Sequence, residues 1–118
     1  MSRRTPRRAA ELQTRAVLFA ALGDTTRLSL VTRLADGRAQ SIAQLTEGSR
    51  LTRQAITKHL RVLERAGVVR QTRHGRERRF AFNPESVEEV QAYLRWVAKR
   101  WDDALLRLKS FVETKTPG

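Results

Sequence analysis

Residues 51–69 read LTRQAITKHLRVLERAGVV, and the architecture turns on this stretch. Thr52 is a residue type that caps helix N-termini, and Ile56, Leu60 and Leu63 recur at helical spacing. Gly67 supplies a left-handed stop. The pattern predicts a helix from about Arg53 to Ala66. With Arg53 set at zero and about 100° per residue, Thr57, Arg61, Gln54 and Lys58 fall near 40°, 80°, 100° and 140°. Ile56, Leu60 and Leu63 fall near 300°, 340° and 280° on the same scale of about 100° per residue. One arc is apolar and the opposite arc is polar and basic, with no acid from Arg53 to Arg61. A solvated helix face ordinarily mixes both signs of charge. His59, near 240°, falls on the core side, where a histidine is expected to be packed and hydrogen-bonded rather than a ligand.

Upstream, Ser41 caps a short helix carrying Ile42, Ala43 and Leu45, and Gly48 sits in the turn that follows. Before it, Asp24 caps a helix whose expected buried stripe is Leu28, Val31, Leu34 and Ala35, ended by Asp36-Gly37. A first helix is expected from about Ala9 to Leu22, with Leu12, Ala16 and Phe19 on one stripe and Gly23 as its stop. Downstream of Gly67 the period changes to that of strands: Val68-Val69, then Phe80 and Phe82 alternating with Arg79 and Ala81. His74-Gly75-Arg76 between them fits a hairpin tip. Asn83-Pro84 opens a last helix, with Ser86 and Glu89 placed for a capping box. There Val87, Val90, Leu94, Val97, Trp101, Ala104, Leu108 and Phe111 form a heptad seam, flanked by Tyr93, Leu105 and Val112. The order is mainly α with a small β-hairpin wing: a winged helix-turn-helix with N- and C-terminal helices suited to dimerisation. The expected interface comprises Leu12, Phe19, Val97, Trp101, Leu105, Leu108 and Phe111. Residues 1–8 form an Arg-rich arm, 9–114 the domain and 115–118 a tail.

The chain has 118 residues, enough for one domain with a core of its own. It contains no cysteine and two histidines. That composition excludes a disulfide framework, an iron–sulfur cluster, a thiolate metal site and a cysteine nucleophile, and no metal or cofactor is expected. No nucleophile has a base partner and no Gly-rich phosphate loop occurs; the acid pairs Glu88-Glu89 and Asp102-Asp103 lie on the last helix and read as surface charge. No catalytic residue is expected. No stretch approaches the ~20 apolar residues of a membrane span. The apolar run Ala16 to Leu22 is too short for a signal peptide and lacks a cleavage site, so a cytoplasmic protein is expected.

The net charge is +12, and it is unevenly placed. Residues 50–79 hold ten basic groups against Glu64 and Glu77, net +8, while residues 16–49 and 80–118 are each neutral. Such a block points to a polyanion. The residues also suit base edges: Gln pairs bidentately with adenine, Arg or Lys with guanine, and Thr meets a thymine methyl. The expected contacts to double-stranded DNA are Ser41, Thr52, Arg53, Gln54, Thr57, Lys58 and Arg61, with Arg73, Arg76 and Arg78 on the hairpin. An RNA- or protein-binding winged helix is the alternative, but RNA readers offer aromatics for stacking and residues 50–79 contain none.

Three stretches resemble the arsenic-repressor (ArsR-type) winged-helix regulators: Leu22-Gly23-Asp24-Thr25-Thr26-Arg27-Leu28, then Leu51 to Leu60 running on to Ala66-Gly67-Val68-Val69, then Arg73-His74-Gly75-Arg76 with Phe80 and Phe82. The resemblance spans about residues 10–113 and implies a homodimeric DNA-binding regulator, a repressor rather than an activator, on an inverted repeat. Metal-sensing members carry a Cys-x-Cys pair in the third helix or an Asp/His set in the last. Here the third helix reads Ser41-Ile42-Ala43-Gln44-Leu45-Thr46 and the last has no histidine. Trp101-Asp102-Asp103-Ala104-Leu105 with Leu108 and Phe111 is similar to a metal-independent branch, which implies a START-like partner protein.

Overall fold

The helix expected around Ile56, Leu60 and Leu63 is present, with these three side chains buried. The computed structural model describes residues 6–115, so residues 1–5 of the expected arm and 116–118 of the expected tail lie outside the described residues. The order is α1 (Pro6–Leu22), α2 (Thr25–Arg33), β1 (Gln40–Ser41), α3 (Ile42–Thr46), α4 (Arg53–Arg65), β2 (Val69–His74), β3 (Glu77–Phe82) and α5 (Pro84–Lys115). The chain divides into two compact units, one through Ser86 and one from Val87 onward.

In the first unit the ends of the helices are closed by side chains. Asp24 accepts the Arg27 backbone N–H at 3.0 Å and caps α2. The Arg27 side chain then reaches the open end of α1. Its Nε donates to the Ala21 carbonyl at 2.6 Å and Nη2 to the Ala20 carbonyl at 3.4 Å, and Nη1 lies 3.2 Å from His59 Nδ1 on α4. Three helices are thus tied by one guanidinium. This contact sets the rotation of α2. Arg27 faces α4, so Leu30 and Leu34, three and seven residues on, face it too and are buried. The expected stripe is corrected accordingly: Val31 is half-buried, Ala35 is exposed and Leu28 is 50% exposed.

Helix α1 begins at Pro6, three residues before the expected Ala9, with proline in its first turn. Its core face is Leu18 and Ala21; Leu12 is 49% exposed, Ala16 is exposed and Phe19 half-buried. The expected stripe therefore lies off the core. Ser41 and Gln44 form a complete capping box on α3, of whose apolar residues only Leu45 is buried. The Arg33 guanidinium closes the other end, donating to the carbonyls of Leu45 at 2.6 Å and Gln44 at 2.8 Å.

Thr52 caps α4 by accepting the Ala55 N–H at 3.1 Å. At its far end Gly67, at φ +81°, allows Gly67 N–H to reach the Glu64 carbonyl and Val68 N–H the Leu63 carbonyl. This paired closure needs a left-handed residue after the cap, which favours glycine. Val68 and Val69 then enter the sheet buried.

The sheet has three antiparallel strands in the order β1-β3-β2. Strand β1 was not expected: it is two residues long and pairs Gln40 with Phe80 and Ser41 with Arg79. Leu18, Leu30, Leu34, Leu45, Ile56, Leu60, Leu63, Val68, Val69 and Phe80 form the core.

Helix α5 is one helix of 32 residues. The expected Ser86–Glu89 capping box does not form, because the helix has already begun at Pro84. Asn83 caps, as its place before Pro84 leads one to expect, accepting the Glu85 N–H at 3.3 Å, and the Ser86 hydroxyl donates back to the Asn83 carbonyl at 2.7 Å. Along the helix, Leu94, Trp101, Leu105, Leu108, Phe111 and Val112 are more than half exposed, while Val97 and Ala104 are half-buried. Trp96 lies off the seam, stacked on Tyr93 with ring centroids 6.5 Å apart and covered by the Arg100 guanidinium at 4.7 Å.

Candidate nucleic-acid interface

The two faces of α4 separate as its sequence requires. Ile56, Leu60 and Leu63 are buried to 2% or less, and Arg53, Gln54, Lys58, Arg61 and Arg65 are exposed. Burial of one face fixes the rotation of the helix, so the basic arc has one orientation. Thr52 is exposed; its cap uses a lone pair and leaves the O–H to donate. Thr57 is half-buried, and its hydroxyl donates to the Arg53 carbonyl at 2.7 Å, which leaves its methyl for an apolar contact. His59, expected on the core side, is 25% exposed at its side chain. Its Nδ1 accepts from Arg27, since a guanidinium only donates, and stands 3.8 Å from Asp24 Oδ2. It is a latch between α2 and α4. The backbone N–H of Arg27, helped by the Arg27 charge, holds the Asp24 carboxyl below its ordinary value against the opposing effect of desolvation.

Ser41 is corrected as a contact. It is 4% exposed, sits in β1 and spends its hydroxyl accepting the Gln44 N–H. The cleft of about 420 Å³ between α3 and the start of α4 is lined by Glu47 as well as Arg53, which balances its charge. The basic surface therefore begins at α4.

The hairpin continues it. The register places Val69 opposite Phe82, Gln71 opposite Phe80 and Arg73 opposite Arg78. These pairs share one side of the sheet, and buried Val69 and Phe80 mark it as the side against α4. Arg73 and Arg78 thus extend from the core-facing side, past the last buried pair. Two guanidinium groups directly opposite repel each other in a bare sheet, and an anion between them relieves this. On the other side, Arg79 Nε donates to Glu77 Oε1 at 2.7 Å, which removes Arg79 from the free basic groups. Gly75, at φ +67°, and Arg76 form the two-residue tip, and His74 is exposed and paired with Glu77 in register. Gln71 Nε2 donates to Glu64 Oε1 at 3.1 Å, joining the wing to the end of α4. Sequence reasoning missed this bridge, whose partners lie on different elements.

A helix-turn-helix domain family matches residues 22–72. The uncharacterized HTH-type transcriptional regulator YuzN of Bacillus subtilis (strain 168) is 38% identical over 79 residues, covering 62% of this chain and 86% of the relative. The structure of an ArsR-like transcriptional regulator from Rhodococcus sp. RHA1 is 35% identical with a TM-score of 0.73, covering 87% of this chain and 93% of that one. This chain belongs to the ArsR family of helix-turn-helix transcriptional regulators. As an ArsR-family protein it is a DNA-binding regulator and not an enzyme. A domain from Mycobacterium bovis, Mb0332, described as homodimeric, has the same fold at 24% identity and a TM-score of 0.66, covering 84% of this chain and 91% of that one. In this ArsR-family chain α3 and α4 are the helix-turn-helix and β2–β3 the wing. Among the described residues no three His, Cys, Asp or Glu side chains come together in a group that could hold a metal, and no helix is long and apolar enough to cross a membrane.

Proposed function

We propose that this ArsR-family regulator is a homodimeric repressor that reads an inverted-repeat operator with residues 52–66 and grips the flanking backbone with residues 69–82. The observation that carries the reading is the rotation of α4: its apolar side is locked into the core, so Arg53, Gln54, Lys58 and Arg61 emerge together, and the wing adds exposed Arg73 and Arg78. Gln54 and Lys58 are the base-reading residues, and Thr57 offers its methyl. Thr52, Arg53, Arg61, Arg73, Arg76 and Arg78 meet phosphate and sugar.

The dimer is supported by large apolar side chains that stand exposed on both terminal helices. Trp101 is 66% exposed, Leu105 56%, Leu108 57% and Phe111 57% on α5, and Leu12 is 49% exposed on α1. The homodimeric state of the Mycobacterium bovis domain agrees with this. Two-fold symmetry then sets the two reading helices roughly 34 Å apart, one duplex turn. The working unit is residues 9–114.

The absence of cysteine from the sequence and the placing of both histidines favour regulation without a metal sensor: His59 is engaged by Arg27, and His74, opposite Glu77 on the wing, has no third ligand with it among the described residues. The test is a gel-shift titration of the duplex upstream of the chain's own coding sequence, with matched RNA as competitor and with zinc or chelator added. An inverted repeat bound in preference to RNA, with affinity unmoved by either additive, supports the reading. Equal RNA binding overturns the operator, and a tenfold response to zinc overturns metal independence.

A further inference from the structure

Arg65 is an exposed residue of the last turn of α4. At about 100° per residue it falls near 120°, between Gln54 and Lys58 on the basic arc. At about 1.5 Å per residue it stands some 18 Å along the axis from Arg53 and about 10 Å beyond Lys58. The major groove is about 12 Å wide. A helix whose first two turns meet base edges therefore brings its last turn to the groove wall, where only phosphate and sugar are offered. The carboxylate of Glu64, the one acid of α4, is engaged by the wing, accepting from Gln71 Nε2 at 3.1 Å.

We infer that Arg65 grips a backbone phosphate on the groove wall opposite the helix start, and so fixes how far α4 advances along the groove. The contact adds affinity without reading sequence. This inference rests on the operator reading above. A cation in the last turn of a helix also complements the helix dipole, which raises stability but leaves the salt dependence of DNA binding unmoved.

Two probes separate these roles: a mixed-sequence duplex of about 30 base pairs, long enough for two half-sites with flanks, and a duplex of that length enriched by the wild type from a random pool. Binding of each is followed across salt concentrations. Arg65→Ala is expected to bind both about eightfold more weakly per subunit engaged at 0.1 M salt, with the slope of log affinity against log salt reduced by about 0.9. Arg65→Lys restores the slope. Lys58→Ala, the contrast, loses the difference between the two duplexes. An Arg65→Ala slope equal to that of wild type overturns the inference, as does a loss confined to the enriched duplex, while Lys58→Ala still upholds the reading helix. A wild type that binds neither duplex overturns the operator reading itself, and this inference with it.

Discussion

Helices α4 and α5 are both amphipathic, and they treat their apolar faces in opposite ways. On α4 the apolar face is spent inside the subunit: Ile56, Leu60 and Leu63 are buried, and what remains outside is charge. On α5 the long apolar side chains stay outside: Leu94, Trp101, Leu105, Leu108 and Phe111 are each more than half exposed. The first arrangement leaves a surface for a hydrated polyanion. The second leaves one that only another apolar surface covers at a gain, by about 25 cal/mol per Å² removed from water. One kind of pattern in the sequence thus leaves two kinds of surface, and what distinguishes them is which face the chain's own core uses.

The contrast is sharpest if the seam of α5 is broken. Trp101→Glu places a carboxylate in the apolar surface and is expected to abolish the dimer, and with it cooperative binding of two half-sites. Sedimentation at micromolar concentration reads the outcome; a dimeric variant would move the interface away from Trp101. Residual, salt-sensitive binding to any duplex survives, because the basic block is untouched. On α4, Leu60→Ala removes a fully buried side chain and is expected to cost about 2–5 kcal/mol in denaturant unfolding. A cost below 1 kcal/mol, on the order of a surface substitution, would show that the apolar arc is not locked. Gln54→Ala and Lys58→Ala should leave unfolding unchanged and each remove about 1–3 kcal/mol of preference for the operator over random duplex. Retained discrimination in both would take base reading away from α4.

The smallest effect concerns the latch behind the reading helix. Asp24 titrates lower folded than unfolded, so its contribution to stability is present above the ordinary carboxylate range and is lost as pH falls through its folded value. Asp24→Asn removes that dependence and should flatten the acid limb of unfolding free energy against pH. An unaltered limb would mean that other carboxylates set it.

What was legible in the sequence follows from how far away the deciding atoms lie. The bounds of α4 came within one residue because Thr52 and Gly67 act on neighbours within a turn. The rotation of α2 was misread because it is set by Arg27 meeting His59, 32 residues away, and by the carbonyls at the end of α1. Strand β1 carries no signal of its own: Gln40-Ser41 is extended because β3 is there to pair with it. Ser41 stands among the expected contacts, and only its burial, which the sequence does not show, places it inside. Arg79 counts as one of the ten basic groups of residues 50–79, and its pairing with Glu77 follows only once the segment is a strand, which puts residues two apart on one side. The stripe of Leu12, Ala16 and Phe19 was correct as a pattern, but periodicity does not say whether a stripe faces the core or the outside.

The strand order has one more consequence. With β3 in the middle, the two-residue β1 makes one rim of the sheet and the longer β2 the other, and on β2 Arg70, Gln71, Thr72 and Arg73 are all exposed. A bare rim of unpaired amides is a template on which foreign strands stack and begin to aggregate. Bulky like charges along it repel any such arrival. Arg70 and Arg73, the second of them a proposed DNA contact, therefore also guard this rim, and trading them for neutral residues is expected to cost solubility.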